Sequence, residues 1–229
     1  MDRNTALEPI IHTSIHKIEK KALAKDPKDN PKINHRYKFL SASASQVNVW
    51  DYQSDPPCKF TIAFANNDLS LVSWCPKTHE IVTVSSQLLS IFDSSSGDLI
   101  RNSNLSETPT CIDVQENTIV LGSNQSGKIY VYGRRNLNLM HTLLSDAKAP
   151  QPMHSLQADE NKVCSCGADS AITVFDINSG KKLYHLLSGS LVHRSTNIVN
   201  PTKPGISQLQ FDDSRIVGVI GNMMRIWSF

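Results

Sequence analysis

The sequence predicts an all-β fold in which one antiparallel unit recurs five times, and three observations carry that prediction. Five short stretches alternate in polarity and end on an aromatic residue or its neighbour: Val47-Asn48-Val49-Trp50-Asp51, Leu89-Ser90-Ile91-Phe92-Asp93, Ile129-Tyr130-Val131-Tyr132-Gly133, Ile172-Thr173-Val174-Phe175-Asp176 and Met224-Arg225-Ile226-Trp227-Ser228. The aromatics stand at positions 50, 92, 132, 175 and 227, so the steps between them are 42, 40, 43 and 52 residues. Each stretch follows a second strand-like run ending in small residues, as in Phe39-Leu40-Ser41-Ala42-Ser43 and Ile119-Val120-Leu121-Gly122-Ser123. Turns recur as well, with a glycine five positions after Phe92 (Gly97) and five after Phe175 (Gly180).

Alternation with period two marks strands that bury one face, and no segment of helical period competes with it. The β-branched residues of the second runs suit a pleated, half-buried surface, while small residues near their ends permit close approach. Further upstream, Leu71-Val72-Ser73-Trp74, Cys111-Ile112-Asp113-Val114, Met153-His154-Ser155-Leu156 and Ile206-Ser207-Gln208-Leu209 read as inner strands. Glycine after the third strand supplies the positive φ of a tight turn. Three of the four steps match the repeat of a four-stranded propeller blade. The predicted architecture is a β-propeller with five recognisable, degenerate blades in residues 37–229, preceded by an N-terminal segment 1–36.

The Trp50-Asp51 pair, the Ser-Gly turns and Asp169 two residues before a third strand resemble WD (WD40) repeats. The resemblance implies blades locked by an Asp–His–Ser–Trp hydrogen-bond tetrad and a protein-binding role. Glycine-histidine pairs are absent and one repeat alone keeps both Trp and Asp, so such tetrads are incomplete here. The stretch from Gln208-Leu209-Gln210-Phe211-Asp212-Asp213 to Ile226-Trp227 is similar to the closing repeat of F-box/WD-repeat proteins. In that family a separate F-box binds the ligase adaptor and the propeller holds the substrate. No F-box-like helical segment is visible in this sequence.

A propeller removes sheet edges by closing, typically on about four to eight blades. The fifth repeat reaches Phe229 on its third strand, so its outer strand is expected from residues 7–13, with 15–18 beginning the first blade and 20–36 forming a long polar loop. The alternatives are a closed five-blade ring and a partial propeller.

Net charge is +2, but residues 1–38 hold 9 Lys/Arg against 5 Asp/Glu and the remainder 14 against 16. That near-neutral body argues against nucleic-acid binding, which calls for a concentrated basic face. No run approaches the length of a membrane helix and no secretory signal is evident, so a cytoplasmic or nuclear location is expected. The five cysteines, Cys58, Cys75, Cys111, Cys164 and Cys166, have no repeated pairing distance and read as reduced core thiols.

No catalytic constellation, metal site or cofactor is expected. Asp51, Asp93 and Asp176 could form a carboxylate set like that of a propeller glycosidase, but each follows a third-strand aromatic, where a turn needs a polar residue. Cys164 and Cys166 share a strand face without a second ligand pair. The expected function is a non-catalytic protein-interaction scaffold, with substrate recognition in an F-box/WD-type ubiquitin ligase implied by the resemblance. The alternatives are a truncated WD-repeat product with little independent function and a five-bladed glycosidase-like enzyme. The long step between the fourth and fifth repeats contains His193, Arg194 and Lys203, and with Lys128 these form a candidate basic patch for acidic or phosphorylated proteins and peptides.

Overall fold

The computed structural model describes residues 12–20, 34–51, 54–75, 77–144, 152–168, 171–187 and 205–228. Its regular elements are strands, arranged in five antiparallel sheets of three or four strands that resemble propeller blades. The chain divides into two compact units, Met1–Asn104 and Leu105–Phe229.

The first unit holds two sheets. One contains β1 (His12–Lys20), β2 (Asn34–Ala42), β3 (Gln46–Asp51) and β4 (Cys58–Ala63), and the other β5 (Leu69–Cys75), β6 (Glu80–Ser85), β7 (Leu88–Asp93) and β8 (Leu99–Asn104). The second unit holds three. They are β9 (Pro109–Val114) to β12 (Leu139–Leu144) through β10 (Thr118–Ser123) and β11 (Lys128–Gly133); β13 (Met153–Ala158), β14 (Lys162–Gly167), β15 (Ala171–Asp176) and β16 (Lys182–Leu187); and β17 (Ile206–Phe211), β18 (Arg215–Ile220) and β19 (Met223–Ser228). The aromatic-ended stretches are the third strands, and the runs before them the second strands.

Two boundaries at the N-terminus differ from the sequence reading. The first strand begins at His12, and His12 and Thr13 pair with Ala42 and Ser41 in the first sheet. The polar loop is shorter than 20–36, because the hairpin ladder continues to the pair Lys20 and Asn34. The pairing explains the difference: a ladder propagates through residues of weak strand propensity once its register is set. Residues 7–11 lie outside the described residues.

Within each unit neighbouring sheets pack face to face. In the first unit Leu40, Val47, Val49 and Ile62 of the first sheet pack on Leu69, Val72, Trp74 and Ile81 of the second. The second unit repeats this twice: Val120, Ile129 and Val131 pack against Val163 and Phe175, and Cys164, Ile172 and Val174 against Ile216 and Leu209. Strand alternation makes this double use possible, since successive residues face opposite sides. We call the side toward the following sheet the trailing face and the other the leading face.

The third-to-fourth turns are built alike. Gly97 N–H donates to the Asp93 carbonyl at 2.9 Å, Leu137 N–H to Gly133 at 2.8 Å and Gly180 N–H to Asp176 at 3.0 Å. All three turn residues have positive φ, 82° at Gly97, 55° at Leu137 and 68° at Gly180. Gly97 also lies against the Phe60 ring of the first sheet, where an added Cβ would come within 2.7 Å of the ring. Gly97→Ala therefore combines left-handed backbone strain with a clash, and should destabilise the chain by about 1–3 kcal/mol. Chemical denaturation measures this; an unchanged midpoint contradicts the assigned turn.

Candidate functional site

The polar side chains of the repeat fall into three groups: turn caps, bonds between sheets, and one carboxylate cluster. Asp93 Oδ1 accepts from the N–H groups of Ser95 (2.7 Å) and Ser96 (2.9 Å), and Asp176 Oδ1 from Ser179 (2.6 Å). These backbone donors hold both carboxyls below their ordinary pKa. Asp51 is fully buried at the end of β3. The first-to-second turns use the same device, with Asp159 accepting from Asn161 and Lys162 and Asp212 from Ser214 and Arg215. Asp212 belongs to the Gln-Phe-Asp-Asp stretch, so part of that motif has a local turn function. Asp169 lies outside the described residues.

A third-strand tryptophan reaches back to the second strand, as Trp50 Nε1–H donates to Ser41 Oγ at 2.9 Å. Phe39 stacks on the same indole, ring centres 5.6 Å apart and planes 8° from parallel.

The bonds between sheets arise from a repeated irregularity. In β5, β9, β13 and β17 the register slips at the second residue, leaving Ser70, Thr110, His154 and Ser207 unpaired in a bulge. A bulge re-aims its side chain. Thr110 Oγ1 donates to the carbonyl of Met153, the first residue of the next inner strand, and His154 Nδ1 lies 3.1 Å from that of Ile206. A carbonyl can only accept, so Nδ1 carries the proton in that bond.

The fifth residue of β9 and of β13 makes a second bond between sheets. Asp113 Oδ2 accepts from Ala158 N–H at 2.6 Å while Gln115 Nε2 donates to the Ala158 carbonyl at 2.8 Å. One sheet later Gln157 does both, accepting from Phe211 N–H at 2.6 Å and donating to its carbonyl at 3.3 Å. Sequence inspection did not single out these clamps, because Asp and Gln share no letter; their common offset in aligned inner strands is the signal that could have found them. Burial pushes the Asp113 carboxyl above its ordinary pKa, a cost that an amide avoids.

Lys128 begins β11, and its ammonium lies 3.7 Å from Glu107 Oε1. Glu107 also accepts from Tyr130 OH (2.9 Å), Ser126 Oγ (2.7 Å) and Ser123 Oγ. The hydroxyl donors, Ser123 first, hold its carboxyl below the ordinary value. Lys128 thus stands beside a fixed negative charge, while His193, Arg194 and Lys203 lie outside the described residues.

The five cysteines form no disulfide; Cys75, Cys164 and Cys166 are buried and Cys58 and Cys111 half-buried. Desolvation pushes the Cys111 and Cys164 thiols up to about 12, away from the reactive thiolate. No group of three metal-ligating side chains occurs among the described residues.

No family model and no curated protein matches the chain. Among solved structures it is similar to the computationally designed Ika8 protein, with a TM-score of 0.65 and 19% identity over 84% of this chain and 55% of that one. It is also similar to the computationally designed Ika4 protein, with a TM-score of 0.55 and 20% identity over 70% of this chain and 90% of that one. The chain therefore spans little more than half the length of Ika8. At these identities the likeness concerns the fold alone.

Two predictions follow from the polar groups. Asp113→Ala leaves the Ala158 N–H without its acceptor and should cost about 1–3 kcal/mol in denaturant unfolding, whereas Asp113→Gln, imitating Gln157, should cost much less. Equal losses would contradict the clamp. The bonds of ionised Glu107 stabilise the turn fully above the ordinary value of 4.5, and that stabilisation is lost as pH falls through its lower folded value. Amide exchange at Gln125 and Ser126, corrected for intrinsic rates, should report this loss, and Glu107→Gln should remove the acid-dependent step.

Proposed function

We propose that the chain is a non-catalytic scaffold of WD-repeat type that holds protein segments against its outer strands. The observation that carries this reading is the apolar rim of those strands. Leu139, Met140 and Leu144 on β12 are 50%, 51% and 62% exposed, and Leu183 and Tyr184 on β16 are 48% and 61% exposed. Large apolar side chains left exposed along an outer strand offer a surface that a partner segment can cover. Further support comes from the turn carboxylates: Asp93 and Asp176 are each engaged by their own turn amides, a sufficient reason for their recurrence without chemistry.

The WD assignment is supported by the repeat spacing and the Trp50–Ser41 bond. Substrate recognition within a ubiquitin ligase rests on the resemblance of the C-terminal stretch. Binding of acidic or phosphorylated peptides would draw chiefly on His193, Arg194 and Lys203, because Lys128 faces Glu107.

Quantitative affinity capture tests the reading, comparing the native chain with the double variant Leu139→Glu, Leu183→Glu. Partners specific to the native chain should be lost from the variant, whose melting temperature should be unchanged because both positions are exposed. A cullin adaptor among the lost partners would support the ligase assignment. Identical partner sets would exclude the outer strands as the binding surface.

A further inference from the structure

The outer strands share an irregularity with the inner ones. In β4, β8, β12 and β16 the register slips at the second residue, leaving Lys59, Ile100, Met140 and Leu183 unpaired in a bulge. A bulge interrupts the edge ladder and re-aims its side chain, so what it offers is the side chain itself. In the inner strands the re-aimed Thr110 and His154 reach the next sheet. In the outer strands Ile100 is 43%, Met140 51% and Leu183 48% exposed, and Lys59 is exposed as well. The bulge recurs in both sheets of the first unit and in both four-stranded sheets of the second, so it marks neither one end of the chain nor one boundary between sheets.

Met140 and Leu183 belong to adjacent sheets of the second unit, and the outer parts of those sheets touch. Gly180, in the turn that leads into β16, lies against His141 and Leu143 of β12; an added Cβ there would come within 3.1 Å of the imidazole and 3.4 Å of the leucine. The charge on this side has one sign. Neither β12, Leu-Met-His-Thr-Leu-Leu, nor β16, Lys-Leu-Tyr-His-Leu-Leu, contains a carboxylate, and the turns before them carry exposed Arg135 and Lys181. Asp176, the carboxylate of the β15–β16 turn, accepts from the Ser179 N–H of its own turn. A surface of apolar side chains among cations is complementary to a segment that carries apolar side chains and carboxylates together.

We propose that the bulge residues Met140 and Leu183 are paired anchors for an acidic, apolar segment of a partner protein, with Lys181 engaging its carboxylates and Arg135 adding to the positive field. The inference rests on the scaffold reading above and narrows it, from any segment offering apolar side chains to one that is also acidic. The anchors supply buried apolar area once covered, and the cations select among partners that would fill it equally well.

Fluorescence anisotropy with the full chain tests this, using a labelled peptide in which Leu and Glu alternate and a second in which Lys replaces Glu. The native chain should bind the first, more weakly as salt rises, and the second at least about tenfold more weakly. Met140→Ser with Leu183→Ser, at exposed positions, should keep the native melting temperature and lose about tenfold in affinity for the Leu–Glu peptide. Arg135→Glu with Lys181→Glu should lose as much, and decides the matter should the serine variant melt early. No binding of the Leu–Glu peptide, equal binding of the two peptides, or native affinity in the charge variant overturns the proposal. So does binding of phosphatidylcholine vesicles containing phosphatidylserine in place of the peptide, which would assign the surface to an anionic lipid. Loss of captured partners from Leu139→Glu, Leu183→Glu, together with peptide binding that ignores charge, would leave the scaffold reading standing and remove this inference alone; identical captured sets would remove both.

Discussion

The structure depends on one constraint: a small antiparallel sheet has two apolar faces and can seal neither alone. Each seam described here solves it in the same way, by pressing the trailing face of one sheet on the leading face of the next. Burial of this kind is non-directional and would tolerate sliding. The clamps of β9 and β13 supply direction, since a side chain that meets one backbone amide fixes the register of two sheets at once. Apolar packing gives the seam its energy and the polar bonds its alignment.

That division explains which features were legible in the sequence. The third strands declared themselves because alternating apolar residues end on an aromatic at a recurring spacing, and because Gly97 and Gly180 occupy a left-handed turn conformation that few residues share. Leu137 occupies the same conformation in the third sheet without a glycine, and there the turn leaves no compositional mark. Its side chain is 6% exposed, so packing compensates for backbone strain. The clamps were illegible for a related reason. Their geometry needs an acceptor for an amide and a donor for a carbonyl, and Asp113 with Gln115 meets that requirement as well as Gln157 alone.

The candidate binding residues show the limit of reading charge from sequence. Lys128 looks free beside a glycine turn, yet Glu107, twenty-one residues earlier, lies in the connection that the fold brings to the same turn. Hydroxyls of Ser123, Ser126 and Tyr130 organise that carboxylate, and none of the four residues announces the others. The Gln-Phe-Asp-Asp stretch makes the converse point. Its first Asp caps a hairpin as Asp159 does one sheet earlier, so a resemblance at that position follows from turn geometry before it speaks to ancestry.

Repetition also sets where interaction surfaces can arise. The inner strands β9 and β13 are committed to their neighbours through bulge and clamp, and the second and third strands of the fourth sheet through both faces. The outer strands escape this commitment, because no strand follows them in their own sheet. The exposed side chains of β12 and β16 are therefore consequences of the same rule. An outer strand can accept any segment offering apolar side chains, because its free edge and exposed apolar residues are committed to nothing else in its sheet.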